Sequence, residues 1–213
     1  MNAYVKYRII VSGLLHHFAQ EYCTFFSVKA AHSVEEVGKK TQSVLFLQQW
    51  LTKKFPFSRL PILEVDGVTI GEGQAIARFL ARRHGLYADD VFDQAKIDMI
   101  TDTIKDIFEK LAETVLAEKE KKQELMDKYF KDVFPLLLQG LERVLKENNG
   151  GDGYFVGDKV TLADLAFIDS CYSMVELKPE VLTDYPKLNA LKQRVESRPR
   201  IAEWMEKRPV YVF

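Results

Sequence analysis

A small α/β unit followed by a larger all-helical one is the fold class this sequence predicts. Three observations carry it. Residues 62–70 hold two short apolar runs around Asp66-Gly67, the dipeptide that favours a two-residue hairpin turn. From residue 90 onward, apolar residues recur at helical spacing with almost no strand-like alternation. Charge divides the same way: residues 1–85 carry a net +5 and residues 86–213 a net −6, within a total of −1.

The first part mixes strand and helix signals. Tyr7-Arg8-Ile9-Ile10-Val11 reads as a strand, stopped by Ser12-Gly13 and followed by a helix-compatible run from Leu14 to Phe26. Residues 27–50 show little clean periodicity. After the hairpin, a helix is expected beyond Gly71, with Ala75, Ile76, Phe79 and Leu80 on its apolar face. Arg82, Arg83 and His84 sit near its negative pole, and Gly85 serves as its cap.

The second part reads as helices throughout. Ile97, Ile100, Ile104, Phe108, Leu111 and Val115 mark one long amphipathic helix. A solvated charge run, Glu118 to Glu124, is expected to precede a second helix. That helix carries Leu125, Tyr129, Val133, Leu137, Leu141 and Val144, with a kink at Pro135. Asn148-Asn149-Gly150-Gly151-Asp152-Gly153 is a loop, and three shorter helices start near Thr161, Pro186 and Pro199. The chain thus divides into domains 1–85 and 90–213, joined by a short link.

Composition excludes several classes. At 213 residues and 47% hydrophobic, the chain has enough material for a core without staples. The two cysteines, Cys23 and Cys171, are too few for a disulfide framework, which points to a reducing, cytoplasmic setting. Near-neutral charge argues against a nucleic-acid partner, and no apolar run is long enough for a membrane span. The short apolar stretch after Arg8 is broken by Ser12-Gly13 and reads as strand and helix, not as a signal peptide. His16, His17, His32 and His84 lack metal-ligand spacing, so no metal is expected.

Four segments resemble a known family. Phe55-Pro56-Phe57-Ser58-Arg59-Leu60-Pro61-Ile62-Leu63-Glu64-Val65-Asp66-Gly67 is similar to a signature stretch of glutathione S-transferases. Ala75-Ile76-Ala77-Arg78-Phe79-Leu80-Ala81 resembles the helix that comes next in those proteins. The run from Gly153 through Tyr154, Phe155, Val156, Gly157 and Asp158 to Thr161-Leu162-Ala163-Asp164 resembles the helical domain of that family. The ending, with Arg198-Pro199, Trp204 and Lys207-Arg208-Pro209, is similar to sigma and nematode-type members. The resemblance covers residues 46–213. It implies a thioredoxin-like N-terminal domain that binds glutathione, an all-α C-terminal domain, and a homodimer that conjugates glutathione to small apolar electrophiles.

The resemblance also assigns residues. The proline matching Pro61 is cis in the family and leaves the backbone of Leu60 to pair with glutathione's cysteine. Glu72 and Gly73, at the family's spacing from Pro61, stand at a helix start where backbone N–H groups favour the γ-glutamyl carboxylate. Gly73 lacks the serine hydroxyl usual there. Trp50 with Lys54 resembles the pair that holds the glycine carboxylate. A two-residue shortening before Pro61 leaves Lys53 as an alternative, with Arg59 assisting. Asp106 matches the acid that reaches the other subunit's γ-glutamyl amine. By helical spacing alone, Asp98, Asp102 and Asp106 form an exposed polar stripe. Thr161 with Asp164 fits a capping box, a structural device.

The catalytic hydroxyl is the weak match. The family's Tyr-Phe-x-x-Arg-Gly-x-x-Glu pattern does not occur, and counting back from Trp50 by the family spacing lands on Ala19. Matching Ser12-Gly13 to Arg-Gly instead brings the tyrosine to within one position of Tyr7. Tyr7 is the candidate catalytic residue and Ser12 the alternative. A second reading is a non-catalytic ligand-binding or structural protein on the same fold, as S-crystallins are; a prostaglandin isomerase is a narrower third.

Overall fold

The computed structural model describes residues 8–11, 30–33, 57, 61–115 and 117–207. The chain divides into two compact units, Met1–His84 and Gly85–Phe213.

The first unit is built on a four-stranded mixed sheet. Its strands are β1 (Arg8–Val11), β2 (Ala30–Ser33), β3 (Ile62–Val65) and β4 (Val68–Gly71), in the order β2-β1-β3-β4. β1 runs parallel to β2 and antiparallel to β3, with Ile9 opposite Leu63, and β3 pairs antiparallel with β4. β3 is hydrogen-bonded on both sides, and Ile62, Leu63 and Val65 are buried in it. An inner strand covered on both faces is apolar nearly throughout, which is why its alternation is weak. The expected turn is present: Asp66 and Gly67 have φ of 50° and 79°, the pair of positive values a tight hairpin needs. β2 answers to no sequence signal. Ala30-Ala31-His32-Ser33 lacks the β-branched and aromatic residues that favour strands, and it lies at the sheet edge. The expected helix Leu14–Phe26 lies outside the described residues.

Helix α1 (Gly73–Arg83) packs on β3 and β4. Its buried residues are Ile76, Ala77, Leu80 and Ala81. Ala75 is exposed and Phe79 half-buried, so the face is turned by about one residue from the expected one. Small Ala77 and Ala81 let the helix lie close to the sheet, a preference that a search for large apolar residues overlooks. The helix ends as read: His84 N–H bonds back to the Leu80 and Ala81 carbonyls, and Gly85 takes φ 70°.

The second unit is helical: α2 (Val91–Val115), α3 (Lys119–Lys128), α4 (Phe134–Glu147), α5 (Leu162–Leu177), α6 (Pro186–Glu196) and α7 (Pro199–Lys207). α5 is its centre. Leu162, Ala163, Leu165, Ala166, Phe167, Ile168, Cys171 and Met174 are buried around nearly its whole circumference, the mark of an enclosed helix. α2 packs along it with Ile97, Ile100, Ile104 and Leu111 of the expected stripe, and with Ile107, which the spacing did not single out. Each such side chain contributes about 1.5–3 kcal/mol when fully buried.

Two expectations fail between α2 and α4. The charge run does not precede a helix but belongs to one, with Glu118 at its N-cap and Lys119–Lys128 helical. The apolar stripe also shifts. Tyr129–Val133 form a π-helical turn in which Phe134 N–H bonds to the Tyr129 carbonyl, five residues back. Pro135 has no N–H for the Lys131 carbonyl, so a widened turn just before it suits the sequence. One extra residue in the turn moves the buried face from Val133 and Leu137 to Phe134 and Leu138, followed by Leu141 and Leu145. Tyr129 anchors the turn, its hydroxyl donating to the Ile107 carbonyl at 2.9 Å.

The Gly153–Asp164 segment proves to be a folding device. Asp164 is buried and accepts from Phe155 N–H (2.9 Å), Thr161 N–H (2.7 Å) and the Thr161 hydroxyl (3.0 Å). The capping box is complete, and Phe155 stacks edge-on against Phe167. Burial outweighs the three donors and pushes the Asp164 carboxyl up to about 6.

Candidate functional site

The site grows from the hairpin and the start of α1. β4 ends at Gly71, and Glu72 turns the chain into the helix with φ 69° and ψ 120°. A non-glycine residue there is strained, at a cost of about 1–3 kcal/mol, and such strain concentrates at functional sites. Glu72 is exposed and makes no capping hydrogen bond to the helix it precedes.

The first intrahelical bond runs from Ile76 N–H to the Glu72 carbonyl, at 3.0 Å. The N–H groups of Gly73, Gln74 and Ala75 come before it, at the positive end of the helix dipole. No acidic residue stands in the first turn of α1. Gln74 Oε1 is buried without a hydrogen-bond partner among the described residues. Pro61 closes the group from the side: a Cβ at Gly73 would lie 3.6 Å from Pro61 Cγ, an ordinary contact. Pro61, Glu72 and Gly73 are thus brought together although eleven positions separate Pro61 from Glu72. Such a corner suits a carboxylate, received by backbone N–H groups and a helix dipole.

The other assigned residues are placed differently. Tyr7, Ser12, Trp50, Lys53, Lys54, Arg59 and Leu60 lie outside the described residues. Asp106 is exposed on α2, in the second unit. Of its stripe, Asp102 is also exposed, while Asp98 is half-buried and accepts from the Tyr87 hydroxyl. Lys105, beside Asp106, pairs with Glu109 at 2.7 Å, and that hydrogen bond holds its ammonium above the ordinary lysine range. Cys171 is enclosed in α5, where burial pushes its thiol up and keeps it inert. The strain at Glu72 and the buried Gln74 oxygen without a partner among the described residues were invisible beforehand, since no residue type at those positions signals them.

Comparison with known proteins agrees with these features. The description "Glutathione S-transferase, C-terminal domain" matches residues 105–208. Hematopoietic prostaglandin D synthase of Gallus gallus is 40% identical over 158 residues, covering 72% of this chain and 75% of that protein. S-crystallin SL11 of Nototodarus sloanii is 32% identical over 182 residues, covering 84% and 87%. Among solved structures, the monomeric glutathione S-transferase Na-GST-3 of the hookworm Necator americanus superimposes with a TM-score of 0.80. It is 24% identical, over 98% of this chain and all of the other. With its mixed four-stranded sheet, its helical second unit and these relatives, the chain belongs to the glutathione S-transferase family, in the sigma/nematode-type branch.

Proposed function

We propose that the chain is a glutathione transferase that joins the thiol of glutathione to small apolar electrophiles, a detoxifying role in the cytoplasm. The observation that supports it best is the corner of Pro61, Glu72 and Gly73 at the start of α1. In this reading residues 1–85 form the glutathione-binding domain and residues 90–213 the helical domain. Backbone N–H groups of Gly73 and its neighbours receive the γ-glutamyl carboxylate, and Glu72 meets the amino group beside it. Leu60 pairs with the cysteine backbone, while Trp50, Lys54 and Arg59 hold the glycine carboxylate.

The reaction needs a thiolate. A free thiol with pKa near 8.5 is mostly protonated at neutral pH, so a hydroxyl donor that stabilises the sulfur anion raises its reactive fraction. Tyr7 takes that role. The sulfur then forms a bond to the electrophilic carbon, the leaving group departs with the bonding electrons, and the thiol proton passes to solvent. Retention on immobilised glutathione, with conjugation assayed alongside, tests the proposal. Retention with turnover is expected; failure to bind rejects it. Tyr7→Phe is expected to lower turnover at least tenfold while changing affinity little, and unchanged turnover would transfer the role to Ser12.

A homodimer belongs to the same proposal, with Asp106 serving the other subunit's site. Val91, Phe92 and Met99 are exposed on α2, and Phe57 and Val68 are exposed in the first unit, apolar side chains that a second copy could cover. Light scattering is expected to give twice the 24.6 kDa chain mass. A monomer mass at micromolar concentration would remove Asp106 from the site.

Two observations favour the alternative, a non-catalytic ligand-binding or structural protein. Gly73 lacks the hydroxyl expected there, and S-crystallin SL11 is among the relatives. Binding without turnover is the outcome that selects it.

A further inference from the structure

The loop that leads from α4 towards α5 holds the chain's one asparagine–glycine pair, Asn149-Gly150. Both residues are exposed, with φ of 50° and 62°, so a non-glycine residue is kept in the left-handed region. Two hydrogen bonds close the turn. Gly151 N–H donates to the Asn148 carbonyl at 3.0 Å, and Asp152 N–H to the Asn149 carbonyl at 3.2 Å. The Gly150 N–H makes no hydrogen bond among the described residues. A Cβ at Gly150 would meet nothing within 4 Å, so the peptide unit between Asn149 and Gly150 has open space beside it.

Such a pair carries its own reaction. The amide carbon of an asparagine side chain lies within five-membered-ring reach of the next residue's backbone nitrogen. That nitrogen loses its proton to solvent and bonds to Cγ, and the side-chain nitrogen leaves as ammonia. Water then opens the cyclic imide at one carbonyl or the other, giving aspartate or isoaspartate. In isoaspartate the main chain runs through the former side-chain CH₂. One water is consumed and one ammonia released, with no oxidant, cofactor or enzyme. A side chain on the attacking residue hinders ring closure, and Gly150 has none.

Asn148 and Asn189 are held against it. Asn148 Nδ2 donates to the Tyr154 carbonyl at 2.8 Å and to the Gly157 carbonyl at 2.7 Å, and a bulky residue, Asn149, follows it. Asn189 lies inside α6, its N–H bonded to the Tyr185 carbonyl at 2.9 Å, and Ala190 follows it. Asn149 alone among these combines exposure, a glycine neighbour and an unengaged attacking nitrogen.

We propose that Asn149 is a site of self-modification, at which the folded protein deamidates to isoaspartate and aspartate and thereby loosens the loop. The longer main chain and the new carboxylate fall between two braces. On one side Asn148 ties the loop to the segment that caps α5. On the other, Lys187 pairs with Asp152 at 2.6 Å and lies against Gly151, where a Cβ would come within 3.2 Å of it. The turn must open before the ring closes, and surface loops open locally far more readily than the core. Two exposed hydrogen bonds are released, which slows the folded chain about ten- to hundredfold relative to the unfolded one.

Ageing the full chain at mildly alkaline pH, both folded and in urea, tests this, with peptide mapping by mass spectrometry, isoelectric focusing and thermal melting as readouts. The peptide that contains Asn149 is expected to gain isoaspartate, and the chain to become more acidic by a single charge. The aged protein should melt at a lower temperature than the fresh one. Asn149→Gly suits the positive φ and lacks the reacting amide, so it is expected to show none of these changes. An acidic form that appears equally in Asn149→Gly would overturn the proposal, as would modification at Asn148 or Asn189 instead. So would an unchanged melting temperature after conversion. A folded rate more than about a thousandfold below the unfolded one would do the same, being a larger protection than two such bonds allow.

Discussion

At Gly73 the serine hydroxyl that the family resemblance implies is missing. Space for it exists, since a Cβ would rest in ordinary contact with Pro61 and Gly73 does not have a positive φ. Gly73→Ser is therefore expected to fold as the wild type does. It should bind glutathione about tenfold more tightly, because one hydrogen bond to a charged group is worth about 1.5–3 kcal/mol. Calorimetric titration of the two proteins checks it; weaker binding by the serine variant would mean that the carboxylate is received elsewhere. The neighbouring residue shows what sequence cannot carry. Glu72 reads as an ordinary helix-start acid, yet its φ of 69° is imposed by the passage from β4 into α1.

At the scale of elements, the start of α5 is held by one buried carboxylate. Asp164 has an ordinary value of 3.8 unfolded and about 6 folded, so the native state holds more protons between those values. Stability from this group is therefore fully present below about pH 4 and falls as pH rises through 6. Asp164→Asn removes the titration and sets an amide N–H₂ against backbone donors, at a cost of about 1–3 kcal/mol. Urea unfolding at pH 4.5 and pH 7 should show the variant less stable at both, with the gap narrower at pH 7. A gap that widens with pH would contradict the raised value. This capping box was legible because its parts lie three residues apart. The π turn was not: helical spacing assumes a constant turn, and one added residue at Tyr129–Val133 put Phe134 and Leu138 in the core in place of Val133 and Leu137. β2 escaped because its pairing with β1, not its composition, makes it a strand.

For the whole molecule, the hairpin of β3 and β4 was readable from turn chemistry at Asp66-Gly67 and the long helix α2 from its apolar stripe. The division into Met1–His84 and Gly85–Phe213 falls at the glycine that caps α1. It also matches the change in charge, so the basic half is the one proposed to hold an anionic tripeptide. The juxtaposition of Pro61 with Glu72 and Gly73 needed the hairpin to fold, because only the return of β4 along β3 closes the distance. The central claim is that the start of α1 receives the γ-glutamyl carboxylate of glutathione. Titrating the protein with glutathione and with its analogue lacking that one carboxylate tests it directly. Glutathione is expected to bind about tenfold or more tightly than the analogue, as the loss of a charge-assisted contact requires. Equal affinities would contradict the account.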